Sequence, residues 1–186
     1  MDKTTVINLI GAPGSGKSTG AGYVFAHLKM NGINCELVQE YAKARVWQND
    51  LEVFQNQLYV IGKQTLYQSR LKGKVEVIIT DSPILMGAFY AKQLEYYEPF
   101  KQVLYSIHQE YNNLDYYVER VKPYNPKGRF QDEKGSDEVG VEILKLYESF
   151  NVKLNRITGE RTGYDQIVLD YLQFRTKNRI GERYEN

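Results

Sequence analysis

Short apolar, β-branched blocks alternate along the chain with longer stretches of helical periodicity. Thr5-Val-Ile-Asn-Leu-Ile10 reads as a buried strand. Behind it Ala21, Val24, Phe25 and Leu28 recur at helical spacing, and Gly32 offers a stop. Asn34–Gln39 is a second strand, ending at Glu40. A mostly helical stretch from Tyr41 to about Lys72 follows, with Leu51, Phe54, Leu58 and Ile61 on one face. Val75–Thr80 is a third strand. Residues 86–112 look helical, interrupted near Pro99, and Leu114–Val118 is a fourth strand. Pro123–Gly135, polar and rich in Pro and Gly, reads as a loop. Ser136 is the expected cap of a helix through about Phe150; Val152–Ile157 is a fifth strand and Tyr164–Thr176 a last helix. Strands alternating with helices predict an α/β fold with a parallel sheet covered on both faces. Residues 1–186 are expected to form one domain, with a lid at about 120–136.

Between the first strand and first helix lies Gly11-Ala12-Pro13-Gly14-Ser15-Gly16-Lys17-Ser18-Thr19, which fits G-x-x-x-x-G-K-[ST] in full. The glycines allow close backbone approach, so that successive N–H groups converge on a phosphate at the helix N-terminus. Lys17 supplies a mobile charge to the β/γ-phosphates, and Ser18 a hydroxyl for Mg²⁺. The segment is similar to the phosphate loop of the P-loop nucleoside triphosphatases. Kinases, GTPases and motor ATPases share that loop, so the rest of the chain must discriminate among them.

Ligands of such sheets sit beyond the carboxyl ends of the strands. Three further places qualify. Asp81, after strand three, is placed to hold Mg²⁺ directly or through water. Glu40, after strand two, is placed to accept or orient an acceptor hydroxyl, with Tyr41 and Arg45 as candidate lining. The loop after strand four carries Arg120, Lys122, Lys127 and Arg129. A closing loop can set a guanidinium on a transferring phosphoryl group, and Arg129, beside the Gly128 hinge, is the first choice, ahead of Arg120 and Lys127. Gln57, Gln64 and Gln68 share a helix face that reads as solvated surface, and Trp47 as core or as a base-stacking residue.

Composition narrows the field. Hydrophobic residues make up 42% and charged residues 25% of 186, enough apolar material for a core. The net charge of +1, evenly spread, shows no broad footprint for nucleic acid. Lys43, Arg45, Lys63 and Arg70 are the candidates for a local track. No run approaches a membrane span, and no signal peptide is predicted. Cys35, the one cysteine, reads as a buried strand residue and fits a reducing, cytoplasmic setting. The sixteen tyrosines fit packing and base stacking alike. His27 and His108 show no metal or triad spacing.

Together, the phosphate loop, Glu40-Tyr41-Ala42-Lys43, Thr80-Asp81-Ser82 and Gly128-Arg129-Phe130-Gln131 resemble the small P-loop nucleoside and nucleotide kinases. The Glu40-Tyr41-Ala42-Lys43 segment is most similar to nicotinamide riboside kinase-like proteins; the acid after strand two and the Arg-bearing lid resemble deoxynucleoside kinases. The resemblance implies a three-layer P-loop sandwich with a five-stranded parallel sheet and a short lid, with ATP and Mg²⁺ as cofactors. It also implies that Thr158–Thr162 borders the adenine, with Arg161 stacking on it. The chain departs from deoxynucleoside kinases in having Asp81-Ser82-Pro83 where they have Glu-Arg-Ser. The expected activity is transfer of the γ-phosphate of ATP to a nucleoside, nucleotide or related sugar, by a protein that can form oligomers. One alternative acceptor is a hydroxyl of a polynucleotide. A second alternative is an ATPase or switch acting on a protein partner, although the chain carries no Asn-Lys-x-Asp motif and no acidic pair after strand three.

Overall fold

The computed structural model describes residues 3–125 and 132–184, with side chains described through 177. The elements run β1 (Thr5–Ile10), α1 (Lys17–Met30), β2 (Cys35–Val38), α2 (Tyr41–Trp47), a 3₁₀ turn (Glu52–Gln55) and α3 (Gln57–Ser69). They continue with β3 (Val77–Thr80), α4 (Met86–Tyr90), α5 (Tyr97–His108), β4 (Asn112–Glu119), α6 (Glu133–Ser149), β5 (Asn155–Thr158) and α7 (Arg161–Tyr184). All strand pairs are parallel, in the order β2-β3-β1-β4-β5. From β1 the chain runs to the edge strand β2, returns to β3 between the two, and then crosses β1 to β4 and β5, so the crevice at the carboxyl end of the sheet opens beside β1.

Period-two alternation sends β1 side chains to two cores. Ile7 and Leu9 pack with Val24 and Leu28 of α1 and with Tyr164, Ile167 and Tyr171 of α7. Ile10 faces the other layer, with Leu85, Leu104, Ile143 and Tyr147. Asn8 would be out of place in so dry a strand, but it donates to Asp115 Oδ1 at 2.9 Å and Asn113 Oδ1 at 3.0 Å, which offsets its burial. His108 lies 3.5 Å from the same Asp115. Cys35 is buried, as expected. Among the described residues no helix is long and apolar enough to cross a membrane.

Several boundaries differ from the sequence reading. The stretch from Tyr41 to Lys72 is broken twice: α2 ends at Trp47, with Asn49 at φ 54°, and α3 starts afresh where Asn56 caps it by accepting from Tyr59 N at 3.1 Å. Of the proposed face only Ile61 is buried; Leu51 and Leu58 are exposed. Pro99 does not interrupt a helix. It lies in the first turn of α5, where its missing N–H is harmless, and the break comes earlier, between Tyr90 and Tyr97. Asp132, not Ser136, caps α6, accepting from Gly135 N at 2.8 Å, so the helix starts inside the predicted loop. Strand five begins at Asn155 rather than Val152, and the last helix at Arg161 rather than Tyr164. Gln64 and Gln68 are buried rather than solvated, and Trp47 is 74% exposed rather than core.

Candidate active site

The phosphate loop is built by backbone angles that side chains resist. Gly14 and Gly16 have φ of 80° and 102°. A Cβ on Gly16 would also fall 2.5 Å from the Tyr164 hydroxyl oxygen. That hydroxyl donates to Gly16 O at 3.0 Å, and the Ser136 hydroxyl donates to Pro13 O at 2.7 Å, so α7 and α6 brace the loop from two sides. Lys17 Nζ arches over the loop, donating to the carbonyls of Gly11 and Ala12 at 2.9 Å each.

A cleft of about 290 Å³ opens between α1, α2 and the end of β3, lined by Ser18, Leu37, Gln39, Glu40, Lys43, Trp47 and Asp81 among others. Three residues expected from sequence, Ser18, Glu40 and Asp81, thus meet in one place. Lys43, whose role there sequence reasoning missed, donates to Ser18 Oγ at 3.5 Å. Asp81 is 6% exposed, and its Oδ1 has no hydrogen-bond partner. The local turn is closed by Thr80 Oγ1, which accepts from Ser82 N at 3.1 Å, so the Asp81 carboxylate is not spent as a turn cap. A buried carboxylate oxygen without a partner is costly unless a cation or water meets it. A hard, oxygen-seeking ion such as Mg²⁺ fits this donor set of Asp81 and Ser18.

Glu40 is half-buried, and its carboxyl is raised above the usual range, first by burial and then by the charge of Asp81; Lys17 and Lys43 pull the other way. Tyr90 of α4 is near enough to feel Glu40. Its hydroxyl is pushed up to about 12, by burial first and by the Glu40 charge second. Yet 42% of its surface is open to solvent.

On the other side of the loop a second cleft of about 190 Å³ is lined by Gly14, Ser15, Gly16, Thr19, Lys122, Pro123, Asn125, Gly159 and Tyr164. Gly159, just after β5, therefore borders the phosphate loop, in a segment that the sequence reading assigned to the adenine. Only glycine fits there, since a Cβ would fall 2.1 Å from Ser15 O. Arg161 does not line this cleft; its side chain is 82% exposed and lies 3.7 Å from Asp165. Lys122 does line it, although the sequence favoured other cations of its loop.

Arg129 and Lys127 lie outside the described residues. Arg120 is held by the start of α6: it donates to Asp137 at 2.5 Å and to Ser136 Oγ at 3.3 Å, and lies 3.4 Å from Glu133. Through Ser136 it backs the Pro13 peptide of the phosphate loop. Tyr41 is buried, with Arg45 over its ring at 5.0 Å, so neither enters the cleft. Lys63 and Arg70 lie over the rings of Tyr59 and Tyr67.

No family model matches the chain, and no curated protein matches it. Among solved structures it is similar to the NadR protein in complex with NR, with a TM-score of 0.64 and 17% identity over 88% of this chain. This chain spans about half of that one, 50%. An APS kinase from Mycobacterium tuberculosis also matches, at 16% identity, with a TM-score of 0.39 over 80% of this chain and 99% of that one. The likeness to NadR shows the fold: the five-stranded, all-parallel P-loop α/β architecture expected from the sequence.

Proposed function

We propose that the chain is an ATP-dependent kinase that phosphorylates a hydroxyl of a nucleoside, nucleotide or related sugar. The observation that carries this reading is the meeting of Ser18, Asp81 and Glu40 in one cleft beside the phosphate loop. In this reading the loop amides and Lys17 hold the β- and γ-phosphates, with the nucleoside end of ATP directed to the Gly159 and Lys122 side. Asp81 and Ser18 hold Mg²⁺ directly or through water. Magnesium, when bound, neutralises charge on the phosphates.

The acceptor enters from the Trp47 side and turns its hydroxyl to Glu40. Glu40 takes the hydroxyl proton as the acceptor oxygen bonds to the γ-phosphorus and the bond to the ADP oxygen breaks. Arg129 is assigned, from its sequence position alone, to the charge on the γ-phosphate. Positioning and charge neutralisation supply most of the acceleration. The NadR neighbour was solved with NR, which makes nicotinamide riboside a natural member of the acceptor panel.

The test is incubation with γ-labelled ATP, Mg²⁺ and a panel of nucleosides, nucleoside monophosphates, nicotinamide riboside and DNA oligomers. Label on a small acceptor, lost in Lys17→Ala, is expected. Label on DNA alone moves the acceptor to a polynucleotide. Hydrolysis stimulated only by a protein overturns the kinase reading.

A further inference from the structure

Gln64 of α3 is 7% exposed, unusual for a residue type that normally sits at the surface. Both ends of its side-chain amide are engaged. Oε1 accepts from the Tyr41 N–H at 2.9 Å, and Nε2 donates to the Gln39 carbonyl at 3.4 Å. One partner is a donor and the other an acceptor, so the amide fits in one orientation only. The two partners are the neighbours of Glu40 on either side.

Glu40 is the N-cap residue of α2, at φ −64° and ψ 119°, and makes no side-chain capping bond. A helix start leaves backbone N–H groups in need of partners, and an acidic side chain there often turns back to meet them. Here α3 meets the first of them from outside. The Glu40 carboxylate is left for the cleft, where Lys17 of α1, Lys43 of α2, Asp81 after β3 and Tyr90 of α4 are the charged and titratable groups around it. Helix α3 is itself a firm base. Ile61, one turn from Gln64, is buried in the apolar core, and a Cβ on Gly87 of α4 would touch it at 2.9 Å.

We propose that Gln64 is a positioning residue: it clamps the peptides on both sides of Glu40 and so fixes the distance from that carboxylate to the acceptor hydroxyl. This rests on the reading of Glu40 as the group that meets the acceptor. A catalytic group carried at a strand–helix junction needs such support, because a displacement of about 1 Å costs on the order of 10²-fold in rate.

The test measures kcat, KM for acceptor and ATP, MgATP affinity and melting temperature for Gln64→Ala, Gln64→Glu and Glu40→Gln. Gln64→Ala is expected to lower kcat by about 10- to 100-fold, with MgATP affinity within about twofold of wild type. Gln64→Glu keeps the acceptor for Tyr41 N–H but loses the donor to Gln39, so its kcat falls between the two. It also serves as the readout if the alanine variant fails to fold. Wild-type kcat in both Gln64 variants, with Glu40→Gln inactive, overturns the positioning role and leaves the kinase reading intact. A parallel fall in kcat, MgATP affinity and melting temperature also overturns it, because Gln64 is then merely structural. Wild-type transfer by Glu40→Gln overturns the role given to Glu40 and this inference with it.

Discussion

Glu40 carries its proton to higher pH than an ordinary glutamate because burial and Asp81 both oppose its charge. The sign of the stability effect follows. The unfolded state loses the proton near the ordinary value while the folded state still holds it, so stability falls as pH rises from there through the raised folded value. Glu40→Gln removes that loss. Its melting temperature should rise relative to wild type as pH is taken above the ordinary glutamate value of 4.5, by calorimetry without nucleotide. Its phosphoryl transfer should drop by about 10²-fold or more, the usual worth of general acid–base assistance. Wild-type transfer should itself fall as pH is lowered and Glu40 takes up its proton. Lys17→Ala should cost at least about 10²-fold in transfer, as expected for losing a charge aimed at the reacting phosphates. Ser136→Ala acts less directly. It frees the Pro13 carbonyl from its 2.7 Å hydrogen bond and should raise KM for ATP more than it lowers kcat.

Helix α1 lies so close to α7 that a Cβ on Gly20 would sit 2.5 Å from the Tyr164 ring. Gly20→Ala should therefore cost about 1–3 kcal/mol in urea unfolding, as overpacking does. Asp132→Ala removes the α6 cap and should cost about 1 kcal/mol. Such close fits were not legible in the sequence. What was legible is local. The β-branched blocks gave the five strands, and the phosphate-loop motif sat between strand and helix, as found. Apolar spacing failed at Leu51–Ile61 because it ran across the Asn56 cap, where one helix had to be two pieces. Ser136 read as a cap by residue type, but its hydroxyl is needed 123 positions away at Pro13. Gln64 read as surface for the same reason: its partners, Tyr41 N and Gln39 O, are backbone groups that only the tertiary fold brings to it. Glu40 and Asp81 were legible because both follow strands, and parallel strands deliver their carboxyl ends to one crevice.

The whole molecule is a sheet whose central strand delivers the phosphate loop, with two clefts on either side of it. Ligand binding at that centre should stabilise the fold by mass action. MgATP at about 100 times its Kd adds about 2.7 kcal/mol, a rise of roughly 5–10 °C in melting temperature for a chain of this size. Omitting Mg²⁺ should shrink the rise, since Asp81 then faces the phosphates without a cation between them. With a net charge of +1, acceptor affinity should change little between 50 and 200 mM salt, unlike that of a protein gripping many DNA phosphates. The most direct measurement is a crystal structure with Mg²⁺ and a non-hydrolysable ATP analogue. The γ-phosphoryl group should lie where Ser18 and Asp81 meet the cleft, facing Glu40, with the base on the Gly159 side. A triphosphate bound away from the Gly11–Thr19 loop, or held there with its γ-phosphate turned away from Glu40, would contradict the account.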